Sequence, residues 1–106
     1  MKKIGFWFDP NHEADKDYPH VEDFIDFKWN KVEKQIVIDW LKNEQENAKY
    51  DAFLGYSQCR VCGKLNGSRE FMNDYFIWPE GLLHYIEEHN VKIPELVEHV
   101  LKITGP

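Results

Sequence analysis

The chain has 106 residues, a formal net charge of -6, and a hydrophobic content of 42%. That length supports a single domain with one modest core, and a core of that size gains from an additional staple. The acidic balance opposes general nucleic-acid binding, which neutralises phosphates with clustered Lys and Arg, and no stretch reaches the roughly 20 apolar residues that cross a bilayer.

The N-terminal run Ile4-Gly5-Phe6-Trp7-Phe8 stops at Asp9, too soon for the apolar core of a secretion signal, and no small-residue cleavage site follows. A cytoplasmic protein is expected. Ile4 to Phe8 reads as a short buried strand, ended by Asp9-Pro10. Asn11 to His20 is a polar loop. Val21 to Trp29 suits either a short helix or an irregular segment. Val32, Ile36, Val37, Trp40 and Leu41 then line one face of an amphipathic helix from about Asn30 to Glu46. Asn47 to Lys49 reads as a polar link, and Phe53 to Tyr56 as a strand leading into Cys59. Asn66-Gly67 is a tight-turn signal. Asp74 to Trp78 reads as a strand. Pro79 opens a helix in this reading, with Glu80 at its positive end and an end near His89-Asn90. Pro94 starts a last helix, and Thr104-Gly105-Pro106 stops it.

The spacing Cys59-x2-Cys62-x21-His84-x4-His89 carries the chemistry. Zinc takes four thiolate or imidazole ligands in a tetrahedron, and C-x2-C lets one tight turn present two sulfurs to one ion. Gly63 allows the backbone to curl behind them. On an ideal helix, residues i and i+5 lie about 140° apart. His89 therefore has to sit where the helix loosens, beside Asn90. Two other readings of the cysteines stand beside this one. A redox pair belongs between a strand and a helix, whereas a Gly-Lys-Leu-Asn-Gly turn follows here. The cysteines could also be plain core residues.

The block from Cys59-Arg60-Val61-Cys62-Gly63-Lys64-Leu65-Asn66-Gly67-Ser68-Arg69-Glu70 to Trp78-Pro79-Glu80-Gly81-Leu82-Leu83-His84-Tyr85-Ile86-Glu87-Glu88-His89 resembles a group of small uncharacterised bacterial proteins. They share a C-x-x-C-G-x-x-N-G-x-x-E stretch followed by W-P-E-G-x-x-H-Y. The resemblance covers the second half of the chain. It implies a zinc knuckle of treble-clef or Cys2His2 character with a helical histidine pair, and it brings no activity with it.

The expected fold is α+β: a small sheet, an amphipathic helix and a zinc-stapled knuckle, hairpin and helix. One domain spans 1–106, with an acidic half over 1–50 and the knuckle half over 51–106. Glu70 is a candidate acceptor for a ligand imidazole, and Trp78 is expected to pack over the site. Asp9, Glu13, Asp15, Asp17, Glu22 and Asp23 form a candidate acidic surface for a basic protein partner. The expectation is a non-enzymatic, zinc-binding interaction protein of inhibitor, immunity or adaptor type. A zinc finger reading nucleic acid through Arg60, Lys64 and Arg69 is the first alternative. Its x21 interval is longer than the about 12 to 15 residues usual for such fingers. A small zinc hydrolase is the second, and it requires an open coordination position.

Overall fold

The computed structural model describes residues 1–104; Gly105 and Pro106, read above as part of the terminal stop, lie outside them. The molecule is α+β, with a four-stranded mixed sheet and three helices. The strands are β1 (Lys2–Lys3), β2 (Lys49–Ala52), β3 (Arg69–Met72) and β4 (Phe76–Pro79). Their order is β1-β4-β3-β2, with β1 parallel to β4 and the other pairs antiparallel. The helices are α1 (Lys31–Asn47), α2 (Leu82–His89) and α3 (Pro94–Thr104).

Helix α1 begins where its sequence dictates. Asn30 caps it, its side chain accepting from the Glu33 N–H at 3.0 Å, which satisfies one of the first-turn donors. Val37, Ile38 and Leu41 are buried against the rest of the molecule, while Val32, read as part of that face, is exposed. Helix α1 packs on both α2 and α3. Pro94 opens α3, whose Leu96, Val97 and Val100 are buried. One hydrophobic cluster unites the two halves of the chain, from Ile4 and Trp7 through Val37 and Leu41 to Trp78, Leu82, Ile86 and Val100.

Several boundaries differ from the sequence reading: β2 begins at Lys49, inside the expected polar link, and the strand expected over Asp74 to Trp78 runs from Phe76 to Pro79. At the N-terminus only Lys2–Lys3 forms a strand, although the Ile4 N–H still reaches the Ile77 carbonyl at 2.9 Å. Gly5, at φ 77°, turns the chain away across α2, where an added Cβ would meet Leu82 at 2.8 Å. The apolar run on both sides of Gly5 is partly buried without being a strand: Ile4 and Trp7 are core residues. Phe53 to Tyr56 is not a strand either, because β2 ends at Ala52 and Gly55 takes φ 90°. Pro79 ends β4 rather than opening a helix, and α2 begins three residues later. Proline is tolerated there because the Glu80 N–H, not its own, donates to the Arg69 carbonyl of β3. Between the two forms open to the Val21 to Trp29 segment, Val21–Phe24 takes a single 3-10 turn followed by irregular chain.

Candidate metal centre

Cys59 and Cys62 sit at the tip of a hairpin. Gln58 and Leu65 bridge across its stem, and the Ser57 N–H donates to the Gly67 carbonyl at 2.8 Å. At the tip, Cys59 N–H donates to the Lys64 carbonyl at 2.8 Å and Gly63 N–H to the Cys59 carbonyl at 2.9 Å. Gly63 takes φ 76°, a conformation that side chains resist. The Val61 N–H points at the Cys59 sulfur at 3.4 Å, the backbone-to-sulfur contact expected of a thiolate knuckle. The hairpin turn is thus the cysteine loop itself. Asn66-Gly67, read above as a tight turn, lies in the descending arm.

The histidines come from α2. Asn90, which caps its C-terminal end, adopts a left-handed conformation, φ 53° and ψ 36°, and its N–H reaches back five residues to the Tyr85 carbonyl. Val91 N–H shares that carbonyl at 3.3 Å. Such a wide final turn differs from the i to i−4 closure of a regular helix. It brings His89 onto the side of His84, and the two ring centroids are 5.1 Å apart. Two outside contacts hold this end of α2. Lys34 of α1 donates to the Glu87 carbonyl at 3.1 Å and to the Asn90 side-chain oxygen at 2.9 Å. The 3-10 turn and the irregular strap after it add Lys92 N–H to the Phe24 carbonyl at 2.8 Å and Asp26 N–H to the Asn90 carbonyl at 2.9 Å.

Ligand atoms of Cys59, Cys62, His84 and His89 lie within 4.8 Å of one another. The Cys62 sulfur and His84 Nε2 are 3.4 Å apart. Around zinc at ordinary bond lengths, the edges of a ligand tetrahedron are about 3.4 to 3.8 Å, so small side-chain adjustments close the set on one ion. His89 Nε2 is buried and has no hydrogen-bond partner. That is costly for an isolated imidazole and natural for one whose lone pair faces a metal. Burial, followed by the neighbouring His84, holds the His89 imidazole below its ordinary pKa. It is therefore neutral near pH 7, the form that binds metal. Cys59 is buried and Cys62 exposed, and neither is in a disulfide. The four side chains can hold a metal ion.

The knuckle is fixed by residues the sequence reading did not single out. Tyr85, between the two histidines, is buried and accepts the Arg60 N–H at 2.7 Å, tying the cysteine loop to α2. Burial pushes its phenol up, with the Cys59 sulfur adding to the effect, so the ring stays neutral. Glu80 accepts from the Ser68 and Arg69 N–H groups at 3.0 and 3.3 Å and from the Arg69 guanidinium at 2.6 Å. It is a clamp between the hairpin and β4, not a helix-dipole residue. Gly67 and Gly81 make this fit possible: an added Cβ would lie 2.6 Å from the Glu80 carboxylate and 2.5 Å from the Asn66 side chain, respectively. The recurrence of glycine beside Asn66 and beside Glu80 was the available signal.

The other candidates are dispersed. Glu70 lies in β3, opposite Asp51 and Pro79, and makes no hydrogen bond to a site histidine among the described residues. Trp78 is fully buried, stacks on Phe71 and donates to Gln45 at 3.2 Å; its partners belong to the sheet and α1. Asp9 and Asp15 face inward to Arg60, at 3.6 and 3.4 Å, and Glu13 pairs with Lys16. Asp17, Glu22 and Asp23 are exposed. Of the basic trio, Arg60 and Arg69 are engaged by carboxylates, and Lys64 is exposed.

No protein-family model, no curated protein and no solved structure matches the chain. Among the described residues, no helix is long and apolar enough to cross a membrane.

Proposed function

We propose that the chain is a zinc-binding, non-enzymatic protein-interaction module whose metal is structural. The observation that carries this reading is the convergence of Cys59, Cys62, His84 and His89 from two separate elements. Two thiolates and two imidazoles are a zinc set, and with all four bound the tetrahedron has no position left for water or substrate. The ligands lie at the junction of the cysteine hairpin and α2, so the ion would lock two parts of the fold together. Zinc binding then contributes directly to folding, because the unfolded chain holds no such site.

The binding surface in this proposal is acidic. Asp17, Glu22 and Asp23 are exposed, and the chain as a whole carries a net charge of -6. The complementary partner is a basic protein, and the module acts on it as an inhibitor, immunity or adaptor protein would. Charge of this kind steers encounter and fixes register more than it sets affinity. The test is capture of partners by the metal-loaded protein and by an Asp17→Asn/Glu22→Gln/Asp23→Asn variant. A partner held by the wild type and released from the variant supports the proposal. Equal retention by both removes the acidic face from it.

A further inference from the structure

The sheet has a free edge. Strand β2 is its last strand, all four of its residues are exposed, and Tyr50 retains 56% of its accessible surface. Which backbone groups it offers follows from two hydrogen bonds. Phe53 N–H donates to the Ser68 carbonyl at 2.8 Å, and Glu80 N–H to the Arg69 carbonyl at 2.8 Å. Arg69 therefore turns its polar groups toward β4, whereas Ser68 turns its own toward β2. Alternation along an antiparallel ladder then directs Lys49 and Asp51 to β3. Tyr50 and Ala52 direct their N–H and C=O groups outward, unpaired by any strand of the sheet.

An open edge of this kind is a template for another strand, and proteins ordinarily blunt it with charge. Here the charges are arranged so that one register cancels them. The edge reads Lys49-Tyr50-Asp51. A second copy laid antiparallel about Tyr50 sets Tyr50 opposite Tyr50. Each Lys49 then faces the Asp51 of the other copy. Tyr50 is an outward-facing position, so the central pair exchanges both N–H···O=C bonds. The flanking Lys49 and Asp51 pairs fall at the non-hydrogen-bonded positions, where opposed side chains come closest. A shift of one residue breaks the match, because Lys49 would then face Ala52 and Asp51 would face Tyr50. The segment beyond the strand adds apolar surface: Phe53 and Leu54 are 52% and 106% exposed.

We infer that β2 is a homodimerisation edge, joining two copies through an isologous two-fold contact into a continuous eight-stranded sheet. The occupant is a second copy of this chain because the Lys-x-Asp pattern complements itself. This inference is independent of the proposed basic partner, whose acidic face lies on Asp17, Glu22 and Asp23.

Sedimentation of the metal-loaded protein tests it, with Lys49→Asp and Asp51→Lys variants alone and mixed. The wild type should approach twice the 12.7 kDa of one chain as concentration rises. Each single variant sets like charges opposite one another twice and should remain at the mass of one chain. An equimolar mixture of the two restores both attractive pairs and should regain the doubled mass. The Tyr50 amide gives a second readout that needs no variant: its hydrogen exchange should be slow at high concentration and fast on dilution. A wild type that stays at one chain mass overturns the inference. So does a dimer that survives in both single variants, or a mixture that fails to associate.

Discussion

At Glu80 three donors converge on one carboxylate: two backbone N–H groups and the Arg69 guanidinium. The Arg69 guanidinium is the leading cause that holds its pKa below the ordinary glutamate value. A depressed folded-state pKa contributes stability that is fully present above the unfolded value and is lost as pH falls through the folded one. Hydrogen bonds to a charged group contribute about 1.5 to 3 kcal/mol, and solvent access at Arg69 places this clamp toward ~1.5. Glu80→Gln should therefore destabilise the protein by that amount near neutral pH in urea unfolding. The difference between variant and wild type should vanish below the folded pKa of Glu80, in the acid range. Tyr85 makes the companion case. Tyr85→Phe leaves the Arg60 N–H without its acceptor, which costs about 1 to 3 kcal/mol for a buried group. Because that bond joins the cysteine loop to α2, metal affinity measured by chelator competition should fall with it.

Among the elements, the end of α2 decides whether the site assembles. His84 and His89 stand on opposite flanks of an ideal helix and share a side only because the last turn is wide and Asn90 is left-handed. Asn90→Val forces a β-branched residue into that conformation and should cost at least about 1 to 2 kcal/mol, together with metal affinity. Asn90→Gly keeps the conformation but loses the Lys34 contact to the Asn90 side chain, and should retain more metal affinity than Asn90→Val. Lys34→Met removes both hydrogen bonds that hold this turn from α1. It should weaken metal binding while leaving the helical circular-dichroism signal of α1 intact. Much of this was legible beforehand. The periodicity of Val32, Ile36, Val37, Trp40 and Leu41 placed α1 at about Asn30 to Glu46, within a residue of its ends, and Pro94 located the start of α3. The C-x2-C and the two histidines marked the four residues that the fold brings together, because metal chemistry restricts spacing more tightly than packing does. Strand β2 was hidden because an edge strand exposed on all four residues carries no hydrophobic alternation. The run Ile4 to Phe8 misled for the opposite reason: continuous apolar sequence reports burial, and Gly5 alone marks where the chain leaves the sheet. Pro79 fits a helix start and a strand end equally well, and only the hydrogen bond from Glu80 to Arg69 separates the two.

For the molecule as a whole, the four side chains that can hold a metal come from the cysteine hairpin and from α2, and the hydrophobic cluster unites residues from both halves of the chain. Removing the ion should therefore loosen more than the knuckle. Chelation is expected to lower the unfolding temperature of the entire domain in one cooperative transition, and readded zinc to restore it. The proposed function depends on four protein side chains closing a structural zinc site. Its most direct test is the metal content of protein purified without a histidine tag, measured together with Cys59→Ser and His89→Ala variants. One zinc per chain is expected in the wild type, with metal and cooperative unfolding lost in both variants. A wild type without zinc, or a His89→Ala variant that keeps both its zinc and its fold, would contradict it.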